Sequence, residues 1–250
     1  MGVFASSAQA IVNGTPDTSH PEAGALYFSA TPTSPRHFAC SGALIDTQAF
    51  LTAAHCFAGY VRSHGQLPVA WVTFDQNPSA SSTFYPGTVT LDPNYQNTTT
   101  TNNLYADDTY DFAVVHLNQD PGITPAQLPA AGQDAAIPRG QPVTVVGYGT
   151  SVTQGGGAPT YPPTGQRESA SLTLTATTTG WLHESQNWTL GNGGACAGDS
   201  GGPNYIAGTH IIAATTITGD TVCRSTNVSI RLDTPAARSF LATQVSYPLP

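Results

Sequence analysis

The run from Cys196 to Pro203, Cys-Ala-Gly-Asp-Ser-Gly-Gly-Pro, constrains its local backbone more than any other stretch of the chain. Glycines crowd a backbone where side chains do not fit or where φ must be positive. Here three of them surround a single serine, Ser200, so that a substrate carbonyl can approach its hydroxyl closely. When the hydroxyl oxygen attacks that carbonyl, an oxyanion forms. The peptide N–H groups of Gly198 and Ser200 are predicted to stabilise it. A glycine-rich turn with an incidental serine is the alternative, so the interpretation depends on partners elsewhere in the chain.

A serine hydroxyl needs a base that takes its proton, and the base needs a third group that orients it. His55 is the best candidate for the base because it lies in an apolar stretch beside a cysteine. Asp111 is the best candidate for the third group because the apolar run Phe112–Leu117 follows it and can bury its carboxylate beside an imidazole. Asp107 and Asp108 compete for that role, although they also fit a calcium-binding or solvated loop. Along the chain, the three candidate catalytic residues therefore occur in the order His55, Asp111, Ser200.

The composition fits a secreted globular chain better than a nucleic-acid-binding or membrane protein. The chain has 250 residues and a net charge of −8, and all seven basic residues are arginines. Because no basic cluster can neutralise phosphates, neither nucleic acid nor an anionic membrane is expected as a partner. Hydrophobic residues make up 39 %, and abundant Thr, Ser, Gly and Pro favour many short strands joined by turns. No stretch approaches the ~20 apolar residues that span a bilayer.

The order of the three candidate residues differs from that of the α/β-hydrolases and of the subtilisins. The chain resembles the chymotrypsin/trypsin-like serine endopeptidases, in which the triad has this order. Six segments carry the resemblance in family order: Ile11–Gly14, Cys40–Ile45, Leu51–Cys56, Asp111–Leu117, Gly147–Gly149 and Cys196–Pro203. Together they reach from Ile11 almost to the end of the chain, which makes the resemblance specific.

The resemblance implies an all-β fold of two packed antiparallel six-stranded β-barrels with a short C-terminal helix. One protease domain is expected over residues 11–250, with the first barrel in 11–120, the second in 130–233 and the helix in 234–243. The residues themselves support the helix, because Thr234 is a good N-cap and Pro235 suits the first helical position. Alternating runs also predict strands at Val69–Phe74 and Ser169–Thr177, and His55 is expected at the end of a strand.

The four cysteines permit three disulfide pairings. The resemblance implies that Cys40 pairs with Cys56, which flanks the histidine segment, and that Cys196 pairs with Cys223. Closing a loop of the first size stabilises a protein by ~3 kcal/mol in the chain-entropy model. Disulfides imply an oxidising compartment, so the protein is expected to be secreted.

The pattern of residues 1–10 indicates the end of an export signal or a short pro-segment. Ala8-Gln9-Ala10 has the small-x-small pattern of a signal-peptidase site. In the resembling family a freed amine pairs with the aspartate before the nucleophile, which implies an activation pair of Ile11 with Asp199. A buried carboxylate at that position needs a cation, and breaking such a pair costs ~3–5 kcal/mol. The chain beginning at Met1 is therefore expected to be a zymogen.

The resemblance also implies a substrate pocket formed by Gly194, Thr218, Gly219 and Asn227, and it places Thr216 where a hydroxyl supports the triad aspartate. Since Gly194 carries no carboxylate, arginine and lysine are not expected in the pocket. Small or medium apolar side chains are favoured instead.

The function implied is that of a secreted serine endopeptidase that hydrolyses peptide bonds through a Ser-His-Asp triad and an acyl-enzyme intermediate. Neither a cofactor nor a metal is expected, and the partner is a peptide or protein substrate bound by a monomer. A catalytically silent, protease-like binding module is the alternative, disfavoured because the three triad residues and the glycine turn are all present. Chain order disfavours an esterase or lipase.

Overall fold

A computed structural model describes residues 11–96, 109–150 and 165–250 of the protein. The expectations for residues 1–10, Asp107 and Asp108 concern parts of the chain outside these ranges. The seven strands of the first half are β1 (Thr15–Pro16), β2 (Ala23–Ser29), β3 (His37–Asp46), β4 (Ala49–Thr52), β5 (Val69–Thr73), β6 (Tyr85–Leu91) and β7 (Ala113–Leu117).

Strands β2 to β7 close into an antiparallel barrel in the order β2-β3-β4-β7-β6-β5. Large apolar side chains fill its interior, among them Leu26, Leu44 and Phe50, which are fully buried. A side chain at Gly42 would collide with the ring of Phe50, so glycine at this strand position lets the phenylalanine fill the barrel. Each such side chain contributes about 1.5–3 kcal/mol by its removal from water.

The second barrel repeats this strand order with the next six strands. They are β8 (Pro142–Gly147), β9 (Glu168–Thr177), β10 (Trp181–Ser185), β11 (Pro203–Ile206), β12 (Ile212–Gly219) and β13 (Thr226–Arg231). Their order is β9-β10-β13-β12-β11-β8, and pairing of β8 with β9 closes the ring. The predicted fold of two six-stranded antiparallel barrels is therefore confirmed.

One part of the predicted division of the chain is corrected. Thr15 and Pro16 were assigned to the first barrel, but β1 pairs with Ser169 and Glu168 on β9 of the second barrel. The chain thus starts on the second barrel, builds the first, and then returns. Proline at this position is tolerated because β1 is a short edge strand.

The two barrels pack through a shared apolar cluster. Leu51 and Phe112 from the first barrel meet Tyr205 and Ile230 from the second in this cluster. Helix α2, Pro235–Leu241, covers the cluster with Ala237, Phe240 and Leu241. It begins as predicted, with the Thr234 side chain accepting a hydrogen bond from the Ala237 N–H, and it ends two residues before the predicted limit.

A second helix was not expected. Helix α1, His55–His64, starts at the candidate base and ends at Gly65, whose φ of 70° is left-handed. Gly59 and Val61 lower the intrinsic helix propensity of α1, so the sequence pattern did not predict this helix. None of the helices in the described ranges is long and apolar enough to cross a membrane.

Candidate active site

His55 and Asp111 meet at one end of the first barrel. Strands β4 and β7 are antiparallel neighbours, with Thr52 opposite Ala113. His55 follows Thr52 by three residues, and Asp111 precedes Ala113 by two. Because β4 ends where β7 begins, these two residues lie side by side. The pairing of two short strands therefore positions the imidazole against the carboxylate.

The contact between these two residues is bidentate. The peptide N–H of His55 donates to Asp111 Oδ1 at 2.8 Å, and Nδ1 of the ring lies 2.8 Å from Oδ2. Asp111 is 5 % exposed, while the histidine side chain keeps 32 % of its surface exposed. The carboxylate is thus buried behind the ring, and the ring is reachable from outside.

Electrostatics of the pair favour the charged imidazolium. Burial by itself lowers the pKa of His55, but the negative charge of Asp111 and its hydrogen bond outweigh burial and raise that pKa above 6.5. When the ring is neutral and Nδ1 carries the proton donated to Asp111, the lone pair is on Nε2. That atom is then able to accept a proton.

Ser200 lies in a turn that packs against the end of β4. Its carbonyl oxygen accepts a hydrogen bond from Ser41 N at 3.0 Å and lies 4.0 Å from Cys56 Sγ. The next residue, Gly201, has a φ of 79°, and a side chain there would collide with Thr52. Glycine at this position therefore lets the serine turn sit directly beside the segment that carries His55.

The amides of the turn are available to a ligand. Gly198 has a φ of 93° and approaches the ring of Phe38 so closely that a side chain would not fit. In the described part of the chain, neither Gly198 N–H nor Ser200 N–H donates to a protein acceptor. Likewise, no hydrogen bond within the described ranges joins the His55 ring to the Ser200 hydroxyl. The three side chains are thus gathered in one region, and within the described ranges the Ser200 hydroxyl and the two amides have no hydrogen-bond partner.

The buried side chain of Asp199 stabilises the serine turn by hydrogen bonds. It is fully buried and accepts hydrogen bonds from Gly149 N and Cys196 N, each at 2.8 Å. Burial raises the pKa of Asp199 well above its usual value, the two amides oppose that rise, and the nearby charge of Glu168 adds to it. Among the described residues, no cation lies beside this buried acid.

Ile11 reaches the same region but contacts a different carboxylate. Its nitrogen donates to Glu168 Oε2 at 3.1 Å, and its side chain is completely buried. The predicted bond to Asp199 is not made, because with residues 1–10 attached the Ile11 nitrogen is a neutral amide that has one hydrogen to donate. Glu168 was missed at the sequence level, since an acid at the start of an alternating strand gives no sign that it is buried.

Thr216 does not occupy its predicted place. Its hydroxyl accepts a hydrogen bond from Asn204 Nδ2 at 2.8 Å, and within the described ranges no hydrogen bond joins it to Asp111. Strand β12 contains a register shift between Thr216 and Thr218. Because a one-residue shift exchanges the faces of a strand, motif spacing alone misassigned this side chain.

Both predicted disulfides are confirmed. Cys40 is bonded to Cys56 beside the histidine, and Cys196 is bonded to Cys223 beside the serine turn. The sulfurs of the first pair lie close to the His55 ring in the manner of a metal site. Since those sulfurs are already bonded to each other, this cluster does not offer thiolate ligands.

A cavity of about 220 Å³ opens beside Ser200. Of the four predicted pocket residues, Thr218, Gly219 and Asn227 line it. Gly194 lies behind the lining, where a side chain would collide with Gln186. Asp220 also lines the cavity, and it was not singled out from the sequence because no recognisable motif surrounds it before Cys223.

Two packed barrels, with a serine turn beside a histidine–aspartate pair, define the class of chymotrypsin-like serine proteases. A family model described as trypsin matches residues 11–240. The chain therefore belongs to the trypsin family, as the six sequence segments predicted. A search among curated proteins found no match.

Proposed function

We propose that the protein is a secreted serine endopeptidase in which Ser200 is the nucleophile, His55 the general base and Asp111 the group that orients it. The observation that carries this proposal is the double hydrogen bond between His55 and Asp111 beside a serine turn with two free amides. The family membership supports the reaction class, and the two disulfides support an oxidising compartment. We also propose that it acts as a monomer on peptide or protein substrates.

The chemistry follows from the positions of these groups. Ser200 Oγ attacks the carbonyl carbon of a peptide bond while its proton passes to Nε2 of His55, and Asp111 stabilises the resulting imidazolium. The carbonyl oxygen becomes negative and is held by the N–H groups of Gly198 and Ser200. The C–N bond breaks as His55 returns the proton to the leaving amine. Water then repeats the sequence on the acyl-enzyme and releases the carboxylic acid product.

The free amide groups are better suited to this role than to a structural one. Gly198 and Ser200 are half-buried, and an amide that is removed from water without an acceptor costs about 1–3 kcal/mol, so a ligand that covers them must supply one. The two amides flank Asp199 in the serine turn. A tetrahedral oxyanion bound there would satisfy both.

The direct test is the variant Ser200→Ala, compared with Ser63→Ala on the exposed face of α1. We expect peptide hydrolysis to fall by about 10⁶-fold in the first variant, because the covalent step is lost, and to be unchanged in the second. A fluorophosphonate probe should label wild type at Ser200. Labelling without peptide cleavage would favour an esterase, and no labelling of the processed protein would favour a silent binding module.

We further propose that removal of residues 1–10 activates the protein. The new ammonium group at Ile11 would lie beside two buried carboxyl groups, Glu168 and Asp199, and would replace a single amide hydrogen with three hydrogens and a charge. Sequencing the N-terminus of active material should give Ile11 as its first residue. Full activity with residues 1–10 still attached would reject this route.

A further inference from the structure

The cavity beside Ser200 is bordered by a buried polar network. Its members lie inside the second barrel and are almost inaccessible to solvent: Glu184, Asn204, Thr216, Asn227 and Ser229. Two of these residues, Thr216 and Asn227, also line the cavity. The network therefore connects the barrel interior to the space that a substrate side chain would enter.

The hydrogen bonds of this network fix the orientation of the Asn227 amide. Nδ2 of Asn227 faces three acceptors: Ser229 Oγ at 3.0 Å, Glu184 Oε2 at 3.3 Å and Asn204 Oδ1 at 3.4 Å. Asn204 Nδ2 donates to Thr216 Oγ1 at 2.8 Å, which leaves Asn204 Oδ1 facing Asn227. A reversed Asn227 would place its own oxygen against that acceptor and lose the hydrogen bond to Glu184 Oε2. The amide nitrogen is thus held inward.

With the nitrogen held inward, the oxygen of Asn227 is left as an unused acceptor. In the described ranges no group donates to Oδ1 of Asn227, and this residue borders the cavity. A second acceptor lies close by, because Gln186 Oε1 is buried without a partner among the described residues. Gln186 packs against Gly194 and Gly219, which are next to the cavity wall. Gln186 Oε1 itself does not line the cavity, so the acceptor without a donor that the cavity offers is Oδ1 of Asn227.

Asp220 is the one carboxylate among the described residues that line the cavity, and its hydrogen-bonding capacity is already used. Asp220 Oδ1 accepts hydrogen bonds from Gln186 Nε2 and from the peptide N–H groups of Ser225 and Thr226, and Oδ2 accepts from Arg224 N. These dipoles compensate its charge locally and make it the anchor of the loop before β13. A neutral donor consequently fits the cavity better than a cation, and a carboxylate fits worst.

Resting on the proposed function, we infer that the cavity selects substrates whose side chain before the scissile bond is an uncharged hydrogen-bond donor, an amide or a hydroxyl. Asn227 is the residue that determines this selection, and Glu184 is a positioning residue that holds it. This replaces the apolar preference expected from the sequence. The reason is that a site with unpaired acceptors rejects a side chain that cannot donate to them.

The test compares peptides that differ only at the residue before the scissile bond. Glutamine and methionine have similar length, but only glutamine donates, so kcat/KM of processed wild type should be about tenfold or more higher for glutamine. Glutamate should be cleaved more slowly than methionine. Because this comparison needs no variant, it does not depend on whether an altered network folds.

Variants then assign the preference to its residue. In Asn227→Ala the ratio of glutamine to methionine should fall to about one, whereas Asn118→Ala, an exposed asparagine after β7, should leave it unchanged. Glu184→Leu should lower the ratio, and Glu184→Gln, which keeps an acceptor for Asn227, should restore it. A purely structural role of Glu184 would change the activity on both peptides equally.

Equal or faster cleavage of the methionine peptide would overturn the inference, and so would a tenfold preference for arginine or lysine over glutamine. In either case the enzyme still cleaves peptides with Ser200 as its nucleophile, so the proposed endopeptidase activity would stand. If processed wild type cleaves none of the peptides and resists the fluorophosphonate probe, the proposed function itself fails. The two failures are therefore distinguishable.

Discussion

The first and the second barrel have the same strand order and different interiors. In the first, fully buried apolar side chains such as Leu26 and Phe50 fill the space between the strands. In the second, buried apolar side chains such as Leu174 are accompanied by a buried acid, Glu184, and the asparagines that surround it. The comparison indicates that one closed sheet serves as a rigid support for two side chains at its end, while its counterpart keeps polar groups behind a cavity.

The largest expected effect tests the support role of the first barrel. In Asp111→Asn the amide no longer holds the proton on Nδ1 of His55, so kcat should fall by about 10⁴-fold. Glu184→Gln in the second barrel should lower kcat far less, because Glu184 does not touch the reacting groups. Steady-state kinetics on one peptide measure both, with Asp120→Asn on the surface as the control. A loss below tenfold in Asp111→Asn would contradict the assigned role.

The two interiors should also respond differently to substitution. Leu26→Ala leaves a cavity in an apolar core, and the free energy of unfolding should fall by about 2–5 kcal/mol. Glu184→Gln keeps the volume and removes an acid whose burial raises its pKa well above 4.5, so the change should stay within about 1 kcal/mol near pH 5. Denaturant unfolding of both variants at this pH provides the comparison. Similar losses in both would show that the interiors do not differ in this way.

The smallest effect concerns the pH dependence of activity. His55 must be neutral to accept a proton, and its pKa in the folded protein is above 6.5, so the acid limb of kcat/KM should have its midpoint above pH 6.5. Asp111→Asn removes the charge that raises this pKa, and the limb should move to lower pH in its residual activity. Glu184→Gln should leave the limb in place. A limb that follows Glu184 instead would place the titrating group in the second barrel.

The features predicted from the sequence are those that depend on fixed local spacing. The serine turn and the neighbours of His55 each belong to a short motif, and the disulfide of Cys40 with Cys56 was implied by the family resemblance that these motifs carry. Glycines in the motif mark contacts that no side chain can make, as at Gly201 against the end of β4. These contacts can be predicted from the sequence because only glycine fits the geometry.

The features that escaped prediction depend on strand register and on long-range packing. Thr216 was misassigned because a bulge in β12 changes which face the side chain occupies. Glu168 and Glu184 occur in alternating strands, where an acid is ordinarily solvated, and their burial depends on how the barrel closes. The polar interior therefore becomes visible only when the strands are in register.

The short strand β1 gives the beginning of the chain an influence beyond its sequence neighbourhood. It is hydrogen-bonded to β9, and the adjacent Ile11 is buried against Glu168, so this segment is an integral edge of the later barrel although it precedes the earlier one. An isolated fragment that starts after the first barrel would lack this edge. In the proposed activation, removal of the first ten residues would change the turn that contains Ser200. That turn lies almost 190 residues further along the chain than Ile11.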